Sequence, residues 1–173
     1  NGTKTIANGA FANCVNLTSV SLPESILTIG KDGFLNCSSL TNLQLPDNII
    51  DIGDRAFYKC KALREIAIPS GVTSINNGVF GYCSSLKYIQ VHKDVRSIGV
   101  DSFYICTNLS DVLYLGSAED RLLIQFSDLV DNFTNAKWHY NYVPHDHQYD
   151  NDVDAECNIC GLSREIVGEH FIE

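Results

Sequence analysis

The residues of this 173-residue chain best suited to chemistry crowd into positions 144–173, where cysteine, histidine and carboxylate stand close together. Cys157 and Cys160 make a C-x-x-C followed by Gly161, an arrangement in which glycine lets the backbone turn and aim its amides at a metal-bound thiolate. His147 lies ten positions before Cys157 and His170 ten after Cys160, so two thiolates and two imidazoles are on hand for one tetrahedral ion. His145 could replace His147 if the loop required it. Three states are open to the pair: a structural zinc, a disulfide, or two free thiols. An oxidising compartment favours the disulfide and the flanking histidines favour the metal. The expectation is a closed, structural zinc site in the tail, with no cofactor required elsewhere. Redox catalysis by this C-x-x-C is not expected, because such a nucleophile sits at a helix N-terminus inside a βαβ pattern that this chain lacks.

Asp150, Asp152 and Asp154 alternate in a way that could wrap calcium. However, Ala155 stands where the turn needs glycine and Gly161 where a bidentate glutamate belongs, so a solvated acidic loop is favoured. No G-x-S-x-G, phosphate-binding loop or H-E-x-x-H is present, and no Ser, His and carboxylate set has a spacing that unites it. The expected class is therefore binding and not catalysis. Charge narrows the partner. Residues 1–116 carry nine basic and nine acidic side chains, and residues 117–173 three and twelve, so the net −9 lies wholly in the last third. That pattern gives no footprint for nucleic acid. No apolar run approaches the roughly 18 residues of a spanning helix, so membrane insertion is not expected. Methionine is absent and residue 1 is Asn, which leads us to expect that the natural start lies elsewhere.

The other five cysteines stand on a different frame. Cys14, Cys37, Cys60, Cys83 and Cys106 are each 23 residues apart, and three further columns keep step with them. These are phenylalanine at 11, 34, 57, 80 and 103, leucine at 17, 40, 63, 86 and 109, and isoleucine at 6, 29, 52, 75 and 98. Two more apolar columns follow each leucine, and Pro23, Pro46 and Pro69 close three of the units.

In L-x-x-V-x-L the last two apolar positions alternate with a polar one, which predicts one short half-buried strand per repeat, ended by the proline. Phe and Cys three apart, with Gly or Ala beside the ring in the first four units, predict a tight turn placing both inward. One unit cannot bury so many apolar groups; stacked units bury them as ladders about 4.8 Å apart. The cysteines then become buried free thiols, inert because burial raises their pKa. The sequons at Asn16, Asn36 and Asn108 have core residues in the middle, which argues against glycosylation. The predicted architecture is an α/β repeat solenoid, right-handed, with short parallel strands.

The unit A-F-x-x-C-x-x-L, as in Ala10 to Leu17 and Ala56 to Leu63, resembles the BspA-like leucine-rich repeats of bacterial and some protist surface proteins, over about residues 3–115. Gly116-Ser117 with Glu119, and Ala136 to Asn141, resemble the segment that closes such arrays. The tail is similar to short Cys- and His-bearing segments of such proteins, in which another cysteine often stands where Val153 stands here. The resemblance implies a secreted or cell-surface interaction protein, with relatives linked to adhesion and host-protein binding.

Five repeats to about 115, a cap over 116–143 and an acidic Cys/His tail over 144–173 are thus expected, the first two forming one solenoid domain. Ser117 and Asp120 suggest a capping box, and Leu122, Leu123, Phe126, Leu129, Val130 and Phe133 the inner face of one helix over about 118–133. Ala136, Trp138, Tyr140 and Tyr142 alternate with polar residues as a half-buried strand, leaving His139 solvated. The outward strand columns, Leu113 among them, carry no clear anchor. The turn between Phe and Cys presents Leu35, Tyr58, Tyr82, Tyr104 and Ile105 instead, with tyrosines suited either to anchor a partner or to shield the turns by stacking together. The expected function is non-catalytic binding of a protein or glycan, with a structural spacer as the alternative. The first repeat has no unit before it, so additional repeats of the longer chain are expected to cover it.

Overall fold

Short strands stacked at a fixed period need partners one period away, and within each sheet of the array the strands pair in parallel at that distance. The computed structural model describes residues 2–127 and 131–143. In chain order the strands of the five repeats are β1 (Thr5–Ile6) and β2 (Ser19–Val20), β3 (Thr28–Ile29) and β4 (Asn42–Leu43), β5 (Asp51–Ile52) and β6 (Glu65–Ala67), β7 (Ser74–Ile75) and β8 (Tyr88–Val91), and β9 (Ser97–Ile98) and β10 (Asp111–Tyr114). Each repeat thus holds two strands where one is expected from sequence. The isoleucine column is itself extended, and Thr5, Thr28 and Asp51 pair in parallel register beneath one another.

The core is the set of ladders. Phe34, Phe57 and Phe80 are fully buried, and the rings from Phe11 to Phe103 stack with centroids 5.0 to 5.6 Å apart and planes within 20°. Backbone bonds between coils hold that spacing, among them Phe34 N–H to the Ala56 carbonyl at 2.7 Å and Phe57 N–H to that of Val79 at 2.9 Å. The glycine that follows Ile29, Ile52 and Ile98 allows the coils to close up. A Cβ on Gly53 would lie 2.5 Å from the Lys31 backbone nitrogen. In the fourth repeat that position is Asn76, and its side-chain amide, not its backbone, donates to the Ile52 carbonyl at 2.7 Å. The sheets divide at this step: β5 ends one three-stranded sheet and β7 begins another.

Past the fifth repeat the expected single helix is absent. Its place is taken by α1 (Ala118–Arg121), β11 (Gln125–Phe126), α2 (Asp131–Asn135) and β12 (Lys137–His139). The start is as read: Ser117 caps α1 in a reciprocal capping box with Asp120. The helix stops after one turn because the edge of β9 still needs partners, and Gln125 and Phe126 supply them. Phe126 takes over the isoleucine column. Phe133 extends the aromatic ladder at 4.3 Å from Phe103, and β12 pairs with β10. The segment is a sixth, irregular coil. Leu122 and Leu123 are exposed, at 81% and 55%, where a continuous helix would have buried them. Leu129 and Val130 lie outside the described residues.

Three further expectations are corrected. Cys14 is exposed, whereas Cys37, Cys60, Cys83 and Cys106 are buried and free as expected. Leu113 is buried, because β12 places His139 opposite it. His139 is half-buried and bonded to Asp111 rather than solvated. Contacts divide the chain into Asn1–Asn141 and Tyr142–Glu173. The proposed ligands His145, His147, Cys157, Cys160 and His170 fall outside the described residues.

Candidate functional site

Two positions in every repeat have left-handed backbone. The first, two residues before each phenylalanine, is Gly9, Asp32, Arg55, Gly78 and Asp101; the second, two residues after it, is Asn13, Asn36, Lys59, Tyr82 and Ile105, all with φ between 55° and 65°. The tight turn around the ring requires this conformation. Asparagine adopts it readily, lysine and tyrosine less so, and a β-branched isoleucine least of all. In the first two repeats the column is filled cheaply: Asn36 donates its amide to the Asn13 side-chain oxygen at 3.0 Å.

The next three repeats hold bulkier groups there, and the expected turn-face residues gather around them. Tyr58 and Tyr82 meet edge to face at 5.2 Å, Tyr82 and Tyr104 at 5.5 Å. Lys59 places its ammonium 5.7 Å from the Tyr58 ring centre and 5.8 Å from that of Tyr82. Burial, followed by the neighbouring Tyr82, raises the Tyr58 pKa, so this hydroxyl remains a donor at neutral pH. Tyr104 is 51% exposed, and Leu35, Tyr58, Tyr82 and Ile105 are half-buried. The three tyrosines therefore form one contiguous row, with Ile105 in the strained position next to Tyr104. Leu35 lies one coil before Tyr58.

Sequence reading missed two partners of this row. Lys59 is one; its position in the column of Asn13 and Asn36 was a usable signal. The other is the two-point pair in which Arg55 donates to both Asp32 oxygens at 2.9 Å, one repeat apart, beside Tyr58.

Among the described residues, the His139 pair and the buried thiols are structural. The His139 ring and Asp111 carboxylate lie 2.8 Å apart between the fifth and sixth coils, and Ser110 donates to the other Asp111 oxygen at 2.6 Å. With the carboxylate between them, serine and histidine do not form a nucleophile–base pair. The thiols of Cys37, Cys60, Cys83 and Cys106 each donate to a phenylalanine carbonyl of the preceding coil at 3.1 to 3.2 Å. Burial pushes Cys37 up to about 11 and Cys60 and Cys106 up to about 12, and raises Cys83 well above the ordinary 9.0. They are unreactive at neutral pH. Among the described residues no group of three or more His, Cys, Asp or Glu could hold a metal ion, and no helix is long and apolar enough to cross a membrane.

Comparison with known proteins agrees with this geometry. The family model for the BspA type leucine rich repeat region, six copies, matches residues 4–120. A leucine-rich cell surface protein of Faecalibacterium prausnitzii is 32% identical with a TM-score of 0.69, over 72% of this chain and 33% of that one. The leucine-rich repeat protein of T. pallidum is 30% identical with a TM-score of 0.67, over 80% and 63%. A leucine-rich repeat protein of Bacteroides ovatus is 28% identical with a TM-score of 0.59, over 78% and 36%. The chain thus spans about a third to two thirds of the length of these structures. No curated protein matches it.

Proposed function

Because this chain belongs to the BspA-type leucine-rich repeat family, whose fold is typically non-catalytic, we propose that it is a binding module of a secreted or cell-surface protein. It engages a protein or glycan partner, in adhesion or host interaction, through the turn face of Tyr58, Tyr82 and Tyr104. Further repeats of the longer chain continue the array, and nucleic acid is not a partner of so acidic a molecule.

One observation carries this reading. Lys59, Tyr82 and Ile105 occupy a left-handed position that Asn13 and Asn36 fill without comparable strain. Each departure costs on the order of 1 kcal/mol. Stacking alone gives no reason for that cost, whereas a surface that must display bulky and aromatic groups does. Tyrosine suits such a surface, being rigid, amphipathic and cheap to immobilise.

The spacer reading has its own support, since the tyrosine rings satisfy one another edge to face. The two separate by experiment. The 173-residue chain is screened against arrays of matrix proteins and glycans, then compared with a variant in which Tyr58, Tyr82 and Tyr104 are all serine. At an unchanged thermal midpoint, affinity for any captured partner should fall at least tenfold. Binding unaltered by the three changes removes the turn face from the proposal, and adhesion that survives replacement of the array by unrelated repeats establishes a spacer.

A further inference from the structure

The array segregates its charge in a way that the neutral total of residues 1–116 conceals. From Arg55 to Lys93 the chain holds six basic side chains and one acidic, Glu65. Arg55 is tied to Asp32 and Lys93 lies beyond the strand. The remaining four, Lys59, Lys61, Arg64 and Lys87, follow the path from the tyrosine row to the strand face over the third and fourth coils.

Backbone bonds fix their adjacency. Lys61 N–H donates to the Lys59 carbonyl at 2.8 Å, and Lys87 N–H donates to the Arg64 carbonyl across the coil boundary at 2.8 Å. Lys59, Lys61 and Arg64 are exposed and Lys87 is half-buried. Among the described residues none of the four joins an ion pair; the array's arginine and histidine pairs lie elsewhere. The third coil's other carboxylates, Asp47, Asp51 and Asp54, precede its phenylalanine, on the isoleucine side. Lys59 lies over the Tyr58 and Tyr82 rings and Lys87 6.0 Å from that of Tyr88, so each end of the band carries an aromatic partner.

Resting on the binding-module reading, we propose that this band binds a polyanionic polysaccharide, its cations taking sulfate or carboxylate groups and the tyrosine row flanking the sugar chain. Unpaired cations held on a rigid lattice need no reorganisation to meet a polyanion, and the band offers charge with little apolar area. An unstructured acidic peptide would have to offset the ordering entropy of every residue from that charge alone. A stiff sugar chain loses much less. Duplex nucleic acid, broader than two coils, would extend past the band toward the carboxylates Asp47, Asp51 and Asp54 of the third coil.

The test is titration of the full chain with heparin, a generic sulfated polysaccharide, in low salt, with neutral dextran, polyglutamate and duplex DNA in parallel. Heparin binding that weakens steeply with salt, as counterion release requires, is expected, with dextran inert. The double variant Lys61→Glu, Arg64→Glu should lose at least tenfold. Lys4→Glu with Lys31→Glu, the same charge change on the first two coils, should lose less than threefold. No heparin binding, equal losses in the two double variants, or binding of polyglutamate or DNA as tight as that of heparin would each overturn the proposal. Both variants keep all three tyrosines, so failure here with tyrosine-dependent capture intact leaves the broader reading standing.

Discussion

Raising the pH from 8 to 10 should unfold this protein far more readily than an array without its thiol ladder. The folded-state pKa of Cys60 is pushed up to about 12 by burial, against an ordinary 9.0, and that of Cys106 likewise. Cys83, fully buried between two other thiols, is raised well above 9.0 by that burial and by its neighbours Cys60 and Cys106. A thiol whose pKa is raised on folding contributes all its stability below pH 9. That contribution is lost as pH climbs through the window up to the folded value, because only the unfolded chain can release the proton. At pH 10 each such thiol favours unfolding by a little over 1 kcal/mol, about 4 kcal/mol for the three together. A domain of ordinary stability, about 5–15 kcal/mol, loses a large share of it. The assay is urea unfolding at pH 8 and pH 10 under reducing conditions, for the native chain and for Cys60→Ala. The variant should be weaker at pH 8, by about 1–2 kcal/mol for its lost methylene-sized volume and its bond to the Phe34 carbonyl. Its fall between the two pH values should nevertheless be smaller by about 1 kcal/mol. Lysine, tyrosine and tail-cysteine titrations are common to both proteins and cancel in the comparison. An identical fall in both would show that the ladder is not what titrates, and the burial argument would fail with it.

The same burial predicts that at pH 8 a disulfide reagent reaches Cys14 within minutes among the array cysteines, while Cys37, Cys60, Cys83 and Cys106 react only at the rate of unfolding, readable by mass spectrometry of the labelled peptides. Gly53→Ala should cost about 2–3 kcal/mol or more in urea unfolding, since its Cβ would meet the Lys31 nitrogen at 2.5 Å. Gly9→Ala, with open space but a φ of 65°, should cost only about 1 kcal/mol. Ser117→Ala should loosen the sixth coil by about 1 kcal/mol. Fluorescence of Trp138, the chain's one tryptophan, reports that loosening through the Arg121 guanidinium 4.3 Å above its ring. Asp120 is held below its ordinary 3.8 by its bond to the Ser117 backbone, so the native chain should show the same fluorescence change only as pH falls through and below that value.

A strict period is a one-dimensional instruction. Once Ile, Phe, Cys and Leu recur every 23 residues, the neighbour of each residue is the one 23 further along, and parallel register, buried columns and the direction of the thiols follow from it. The capping box at Ser117 and the strand around Trp138 were legible for a similar reason, each being a local pattern with a local cause. So was the row Tyr58, Tyr82 and Tyr104, since all three stand one or two places after a buried ring.

What the tertiary structure alone decided lies where contacts depart from that period. The segment after residue 117 has helical spacing, yet the unpaired edge of β9 outweighs a short helix's own propensity, and one turn of helix gives way to β11. Asp111 and His139 are 28 residues apart, a separation no column announces, and they meet only because β12 lies in register against β10. The left-handed backbone at Lys59, Tyr82 and Ile105 is imposed by the turn around each phenylalanine, and at Lys59 and Tyr82 it is held by bonds to the next coil. Residue type at those positions argues against such a conformation, and the stack overrides it. The run of basic residues from Arg55 to Lys93 is visible along the chain, but the meeting of Arg64 and Lys87 across a coil boundary is set by the stack.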